Sequence, residues 1–237
     1  MTGSVRYWAV VPAAGIGSRM HADIPKQYLE IHGTCILEHT VQRFCEHPRI
    51  EGIVVAISAA DQRWESLDVS RHEKVIRVTG GLERFNSVLN GLLHLEKSGA
   101  DPLDWVLVHD AVRPCLRKSD IDRLIEAVSN HEVGGLLAFP ARDTIKRSNT
   151  KREVVETVDR EDIWHAQTPQ MFRLGMLTSA IDDIVRKNLK VTDEAQAIEL
   201  AGGQPLLVQG SPENIKITHQ IDMQLAGMFI SEAGKRQ

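Results

Sequence analysis

Short apolar runs alternate with amphipathic stretches along most of this chain, and the two follow different periods. The apolar runs predict strands over 7–12, 52–58, 74–79, 105–109 and 135–140. Apolar residues spaced three and four apart predict helices between them, over 36–46, 84–97 and 120–131. Ser119, with Asp122 three residues on, reads as a capping box that starts the third helix. Strands alternating with helices in this way imply an α/β fold, a Rossmann-like, mainly parallel sheet with helices on both faces.

After Pro140 the rhythm breaks. Residues 141–167 are short-patterned, charged and β-branched, and IKRSNTKREVVETVDR lacks the continuous apolar character of a buried strand. This segment reads as a β-hairpin arm projecting from the body. Val154, Val155 and Val158 on such an arm need apolar cover, and a second copy of the chain is the simplest source, so a homodimer is expected. Beyond it, helices over 174–187, 193–201 and 218–232 flank one more strand over 205–208. Thr192 is the expected N-cap of the middle helix, with Gly202-Gly203 its stop. No internal repeat divides the chain, so residues 1–237 read as one domain carrying an arm.

Composition narrows the class without naming a chemistry. Hydrophobic residues at 42% and charged residues at 25% fit neither a disordered nor a membrane protein, and no apolar run is long enough to span a bilayer. Met1 to Val5 does not resemble a secretory leader, so a cytoplasmic setting is expected. Cys35, Cys45 and Cys115 are odd in number and show no CxxC, which argues against a disulfide framework and a structural zinc. The formal charge of −4 disfavours nucleic acid as a partner and requires any anion site to be a local cluster.

Such a cluster is visible where the strands end. Ligands of open α/β sheets bind outside the carboxyl ends of the strands. The first strand delivers Ala13 to Arg19, and the third delivers Gly80-Gly81, then Arg84 and Ser87. The fourth delivers Asp110 and Arg113, and the fifth delivers Arg142, Asp143 and Thr144. Four strand ends carrying glycine or polar residues point to one anion-binding cleft.

The first of these, VVPAAGIGSRMHADIPKQ, carries the most information. Ala13, Ala14, Gly15 and Gly17 put no bulky side chain between backbone N–H groups and a ligand. Arg19 and Lys26 bracket them, one a planar fork of donors and the other a point charge, as a triphosphate requires. It is not a P-loop, because Ser18-Arg19 follows Gly17 where Lys and Ser/Thr are needed. A dinucleotide fingerprint fails at Met20, at Ile24-Pro25, and at Ser58, where an acidic residue should end the second strand.

Asp110 follows WVLVH and faces the phosphate loop, where Mg²⁺ could bridge carboxylate and triphosphate. The alternative for Asp110 is a plain ion pair with Arg113. Lys216 in ENIKIT lies between the last strand and last helix, and Ile215 and Ile217 beside it suggest an ordered segment. Arg160 in TVDRED lies on the arm and, taken alone, reads as surface.

With these residues in view, the chain closely resembles the 2-C-methyl-D-erythritol 4-phosphate cytidylyltransferase family. The motifs are PAAGIGSRM with PKQYL, ILEHTV, GGLERFNSVLNGL, VLVHDAVRPCL, PARDTIKR, TVDREDIWHAQTPQMF, VTDEAQAIE and ENIKIT, spread nearly end to end. The resemblance implies transfer of CMP from CTP to methylerythritol phosphate with release of pyrophosphate, for isoprenoid precursors, using Mg²⁺ in a homodimer whose arms embrace. It implies that Arg19 and Lys26 stabilise the reacting α-phosphate and that Asp110 holds the metal. Arg160 and Lys216 would hold the attacking phosphate. Thr144, Arg113 and Thr192 would contact the sugar phosphate, and Ala13, Ala14, Gly15, Gly17, Gly81 and Ser87 the CTP. Leu82 stands where some members carry an acidic residue.

The chemistry of the residues agrees with this. A phosphate monoester has its second pKa near ~6 and is already ionised at neutral pH, so no general base is needed. Two other readings compete. A ribitol 5-phosphate cytidylyltransferase would share the loop but differ in the arm, and a non-catalytic nucleotide-binding relative should have lost charges that are all present here.

Overall fold

The computed structural model describes residues 5–15 and 24–235. In chain order they form β1 (Tyr7–Pro12), β2 (Glu30–Ile31), β3 (Thr34–Cys35), α1 (Ile36–Cys45), β4 (Ile50–Ile57), β5 (Val75–Thr79) and α2 (Arg84–Lys97). Next come β6 (Trp105–Val108), α3 (Lys118–Val128), β7 (Gly134–Pro140), β8 (Ile145–Ser148) and β9 (Val154–Val158). The chain continues through β10 (Trp164–Arg173), α4 (Leu174–Arg186), α5 (Glu194–Leu200), β11 (Leu206–Gln209) and α6 (Gln220–Lys235).

Among the described residues the central sheet has seven strands in the order β11-β7-β10-β6-β1-β4-β5. β1 pairs in parallel with β4 and β6, β4 with β5, and β7 with β11. Alternate residues of the central strands point to opposite faces, and each face is covered by helices. Ala9, Val11, Ile53 and Val55 pack with Phe44 of α1 and Leu124 of α3. Val10, Val54, Val106 and Val108 pack on the other side with Leu92 of α2 and Ile181 of α4. Burial on both faces is why these strands read as continuous apolar runs.

The exception to the parallel pattern is β10, which runs antiparallel between β6 and β7. Its centre carries Gln167, Thr168, Pro169 and Gln170, so it has no strand signature in the sequence. Pro169 has no N–H for a ladder, and the pairing with β7 is irregular between Ala166 and Gln170. That break turns Gln167 and Thr168 toward the carboxyl ends of β6 and β11.

The arm is shorter than expected. β8 and β9 pair only with each other, in a separate two-stranded sheet, and from Trp164 the chain is back in the central sheet opposite Pro140. Residues 164–167 therefore belong to the body, held there by pairing with β7. Val154 and Val155 on β9 are exposed.

Two helix starts also differ. Arg117, not Ser119, is the N-cap of α3, because its carbonyl accepts the N–H groups of Asp120 and Ile121 and so begins the helix earlier. Asp193, not Thr192, caps α5 through its carboxylate, which accepts the Gln196 N–H at 3.0 Å. The Thr192 hydroxyl instead donates to the Gln196 side chain at 3.1 Å. Gly202 ends that segment at φ +89°, as expected of a glycine stop. The three cysteines are free and buried, and burial pushes the Cys115 thiol up to about 12.

Candidate functional site

The loop after β1 lies against the start of α2 across a close backbone approach. Any side chain at Gly80 would overlap Ala14, and any at Gly81 would overlap Asn86. The Ser87 hydroxyl accepts the Gly81 N–H at 3.0 Å and fixes that approach. Ala13, Ala14, Gly15, Lys26, Gly81, Arg84, Ser87, Asp110 and Lys216 all line one cleft of about 300 Å³ at the carboxyl ends of β1 and β6. Leu82 is fully exposed on its rim.

A second cleft of about 170 Å³ adjoins it. Arg84, Asp110 and Lys216 line both, and Arg113, Gln167, Thr168, Gln170, Thr192 and Asp193 line the second. The shared residues form one ionic knot. Asp110 Oδ1 accepts from Arg84 Nε at 2.9 Å, while its Oδ2 lies 2.9 Å from Lys216 Nζ and 3.4 Å from Arg113 Nε. Burial alone would raise the Asp110 pKa. Arg84, Lys216 and Arg113 overcome this and hold the carboxyl far below the usual carboxylate range. The ion pair with Arg113 read from the sequence is therefore present, as one of three.

Neighbouring groups set the aim of that carboxylate. The Thr168 hydroxyl accepts the Asp110 N–H at 3.1 Å and lies 3.0 Å from His109 Nδ1. His109 Nε2 lies 3.1 Å from the Arg113 carbonyl, which can only accept, so that nitrogen carries the proton. Burial lowers the His109 pKa to about 4, keeping the ring neutral and Nδ1 free to accept from Thr168. The irregular part of β10 thus holds the turn that carries Asp110 and Arg113.

Lys216 stands on a segment anchored from several sides. Buried Asn214 donates to the Thr168 carbonyl at 2.7 Å, and its own carbonyl accepts from Arg113 Nη1 at 2.7 Å. Glu213 pairs with Arg117. Ile217 is buried, and its carbonyl accepts from Lys26 Nζ at 3.4 Å, which ties the two lysine-bearing segments together. The ordered segment expected from Ile215 and Ile217 is observed.

Other expected residues are elsewhere. Arg160 and Thr144 are exposed on the arm side and line neither cleft, and Arg160 donates to the Arg142 carbonyl. Gly17 and Arg19 lie outside the described residues.

Sequence reasoning passed over several residues. Gln27, buried, donates to the carbonyls of Ala13 at 2.9 Å and Gly15 at 3.1 Å, shaping the first loop from behind. Glu194, the first residue of α5, takes the far end of the Arg84 guanidinium at 2.5 and 3.1 Å. The signal for Glu194 was its place just after a capping Asp, where an acidic residue normally faces solvent. The signal for Gln27 was its position one residue after a site lysine.

The donor set fits a magnesium ion only in company with substrate. Among the described residues no three His, Cys, Asp or Glu side chains cluster as a metal cage. Mg²⁺ characteristically takes one or two carboxylates, with phosphate oxygens and water for the rest. Asp110 could serve as that carboxylate once Lys216 turns to an incoming phosphate.

Comparison with known proteins converges on one family. Residues 7–232 match the family described as IspD, 2-C-methyl-D-erythritol 4-phosphate cytidylyltransferase. Proteins of that name from Pseudomonas syringae pv. tomato and Vibrio vulnificus are 52% and 51% identical, over 97% of this chain and 97% and 96% of theirs. The solved structure of the Francisella tularensis enzyme of that name superposes with a TM-score of 0.82 at 41% identity, covering 94% of this chain and 99% of that one. A crystal structure of a 4-diphosphocytidyl-2C-methyl-D-erythritol synthase gives 0.84 at 36% identity, over 97% and 100%. A strand-end cleft lined by Lys26, Arg84 and Lys216, with fold and sequence matching these proteins along nearly the whole chain, places this protein in the 2-C-methyl-D-erythritol 4-phosphate cytidylyltransferase family.

Proposed function

We propose that this chain transfers CMP from CTP to 2-C-methyl-D-erythritol 4-phosphate, a step in isoprenoid precursor biosynthesis. The observation that carries the reading is the pair of adjoining clefts with Asp110, Arg84 and Lys216 as their common wall, on a chain of this family. The larger cleft takes CTP against Ala13, Ala14, Gly15, Gly81 and Ser87. The smaller takes the polyol phosphate beside Arg113 and Thr192.

An ionised phosphate oxygen of the acceptor attacks the α-phosphorus of CTP. A new P–O bond forms, the α–β bridging bond breaks, and pyrophosphate leaves with the electron pair. Both reactants are anions, so the task of the protein is to bring them together and offset charge at the α-phosphate. Lys26 does this from the wall of the larger cleft, Arg19 is the second cation assigned to the task, and Lys216 exchanges its carboxylate partner for the attacking phosphate. A magnesium ion on Asp110, when bound, neutralises triphosphate charge.

Arg160 and Thr144 complete the acceptor site from the arm of a second copy. This is supported by their exposure on the arm and by the uncovered Val154 and Val155 farther along the same hairpin. A cytosolic setting is supported by three unpaired, buried thiols. Among the described residues no helix is long and apolar enough to cross a membrane.

A coupled pyrophosphate-release assay with CTP tests the reading, with methylerythritol phosphate and ribitol 5-phosphate as rival acceptors. Turnover with the first and little with the second is expected. Preference for ribitol phosphate would overturn the assignment of the acceptor, and failure to bind CTP with magnesium in calorimetry would overturn the whole reading.

A further inference from the structure

Glu194 is a buried carboxylate that no part of the proposed reaction uses directly. Its side chain is 1% exposed, and a charge taken so far from water costs several kcal/mol unless it is well paired. Its partner is Arg84, whose two terminal nitrogens donate to the two Glu194 oxygens at 2.5 and 3.1 Å. The third Arg84 nitrogen, Nε, donates to Asp110 Oδ1 at 2.9 Å. The guanidinium is thus stretched between two carboxylates, Asp110 in the wall common to the clefts and Glu194 buried behind it. Burial disfavours its charge, but Glu194 and then Asp110 outweigh burial and hold its pKa above the ordinary value.

Lys216 differs in every respect that governs mobility. It is 42% exposed, it is a point charge on a flexible stem, and it meets Asp110 through Oδ2. Arg84, held at all three nitrogens, cannot turn toward a phosphate without breaking its pair with Glu194, whereas Lys216 can do so by rotation. Over Asp110, Glu194, Arg84, Arg113 and Lys216 the formal charge is one positive. Loss of the Glu194 charge doubles that excess and leaves Arg84 free to turn toward the most negative group nearby, which is the bound triphosphate.

We infer that Glu194 is a positioning residue: it pins Arg84 as a fixed wall between the two clefts, so that Asp110 keeps its aim while Lys216 moves to substrate. The inference rests on the cytidylyltransferase reading above. It implies that the role of Glu194 lies in turnover and not in substrate binding, because Arg84 released from it still attracts phosphate.

The test is steady-state kinetics of Glu194→Gln, Glu194→Asp and the double variant Arg84→Gln/Glu194→Gln, beside the wild type, with thermal unfolding of each. Glu194→Gln is expected to lower kcat by roughly 10–100-fold, the range typical when an outer partner of a site residue is lost. KM for CTP should stay level or fall. Glu194→Asp, which keeps the charge, should recover much of the loss. In the double variant no charge is buried unpaired, so its unfolding temperature should remain close to wild type while kcat stays low. A folded Glu194→Gln or double variant with wild-type kcat would overturn the inference, as would Glu194→Asp and Glu194→Gln being equally slow. If the wild type itself turned over no CTP, the functional reading would fail instead.

Discussion

β6 is four residues long and has a buried aspartate at each end, and the two are held in opposite ways. Asp104, before the strand, accepts from the Arg6 N–H at 2.9 Å, Arg6 Nε at 3.0 Å, Trp8 Nε1 at 3.1 Å and the Asp101 N–H at 3.1 Å. Two of those donors are main chain, and the indole is rigid. Asp110, after the strand, meets only cationic side chains, one of them 42% exposed. The same residue type flanking one strand is a joint at its start and an electrostatic cluster just past its end. A carboxylate satisfied by fixed donors has nothing left to offer a ligand, whereas one held in part by the half-exposed Lys216 can exchange that partner.

The sharpest way to break this contrast is to neutralise each aspartate. Asp110→Asn should lower turnover by at least roughly 10²-fold while the protein stays folded, the scale seen when one preorganised electrostatic group is lost. Asp104→Asn should leave kcat per folded molecule close to wild type. If both variants lost activity alike, the division between the two rims would fail.

The arm offers the next test, because the proposed reaction draws Arg160 to the rim around Asp110 from a second copy. Lys26→Ala and Arg160→Ala subunits, each inactive alone, should regain one working site per hybrid dimer when mixed. Absence of recovery in a verified hybrid would mean that the arm serves its own chain.

A smaller effect is expected on stability. Asp104→Asn should cost about 2–4 kcal/mol in denaturant unfolding at neutral pH, since it removes one partner of a buried, multiply bonded charge. Burial works to raise the Asp104 pKa, but the Arg6 backbone, Trp8 and Asp101 hydrogen bonds bring it below the usual carboxylate value. Stability from such a depressed carboxylate is complete above the unfolded value of about 3.9 and drains away as pH falls below it. The acid limb of a stability-against-pH curve should therefore be shallower in Asp104→Asn. An unchanged limb would show that Asp104 is not what the acid attacks.

Most of the parallel sheet was legible because its signal is local. β1 and α2 match the expected spans, and β4, β5, β6, β7 and β11 match within two residues at either end. Their strands are buried on both faces, so burial writes itself into the sequence as apolar runs. The glycines and small residues of the first loop were legible for a similar reason, as Gly80 and Gly81 are required by overlap with residues that can be named. β10 was not legible. Ahead of the buried Met171 and Phe172 it buries Gln167, Thr168 and Gln170, most of whose hydrogen-bond partners lie 20 or more residues away in the chain, at Asp110, Asp193, Ala195 and Asn214. Glu194 stayed hidden in the same way, since nothing near it in the chain marks the pairing with Arg84, 110 residues away.

By itself, then, the sequence determined the alternation of elements, the strand ends that carry glycine and charged residues, and the kinship to a nucleotidyltransferase family, because each is encoded by neighbours in the chain. The tertiary structure alone decided that β10 enters the sheet against the grain, that Asp110 is shared among three cations, and that Glu194 holds one of them. Those are long-range electrostatic and hydrogen-bonding facts. A charged or amide side chain looks the same in sequence whether it faces water or a buried partner, and only folding chooses between them.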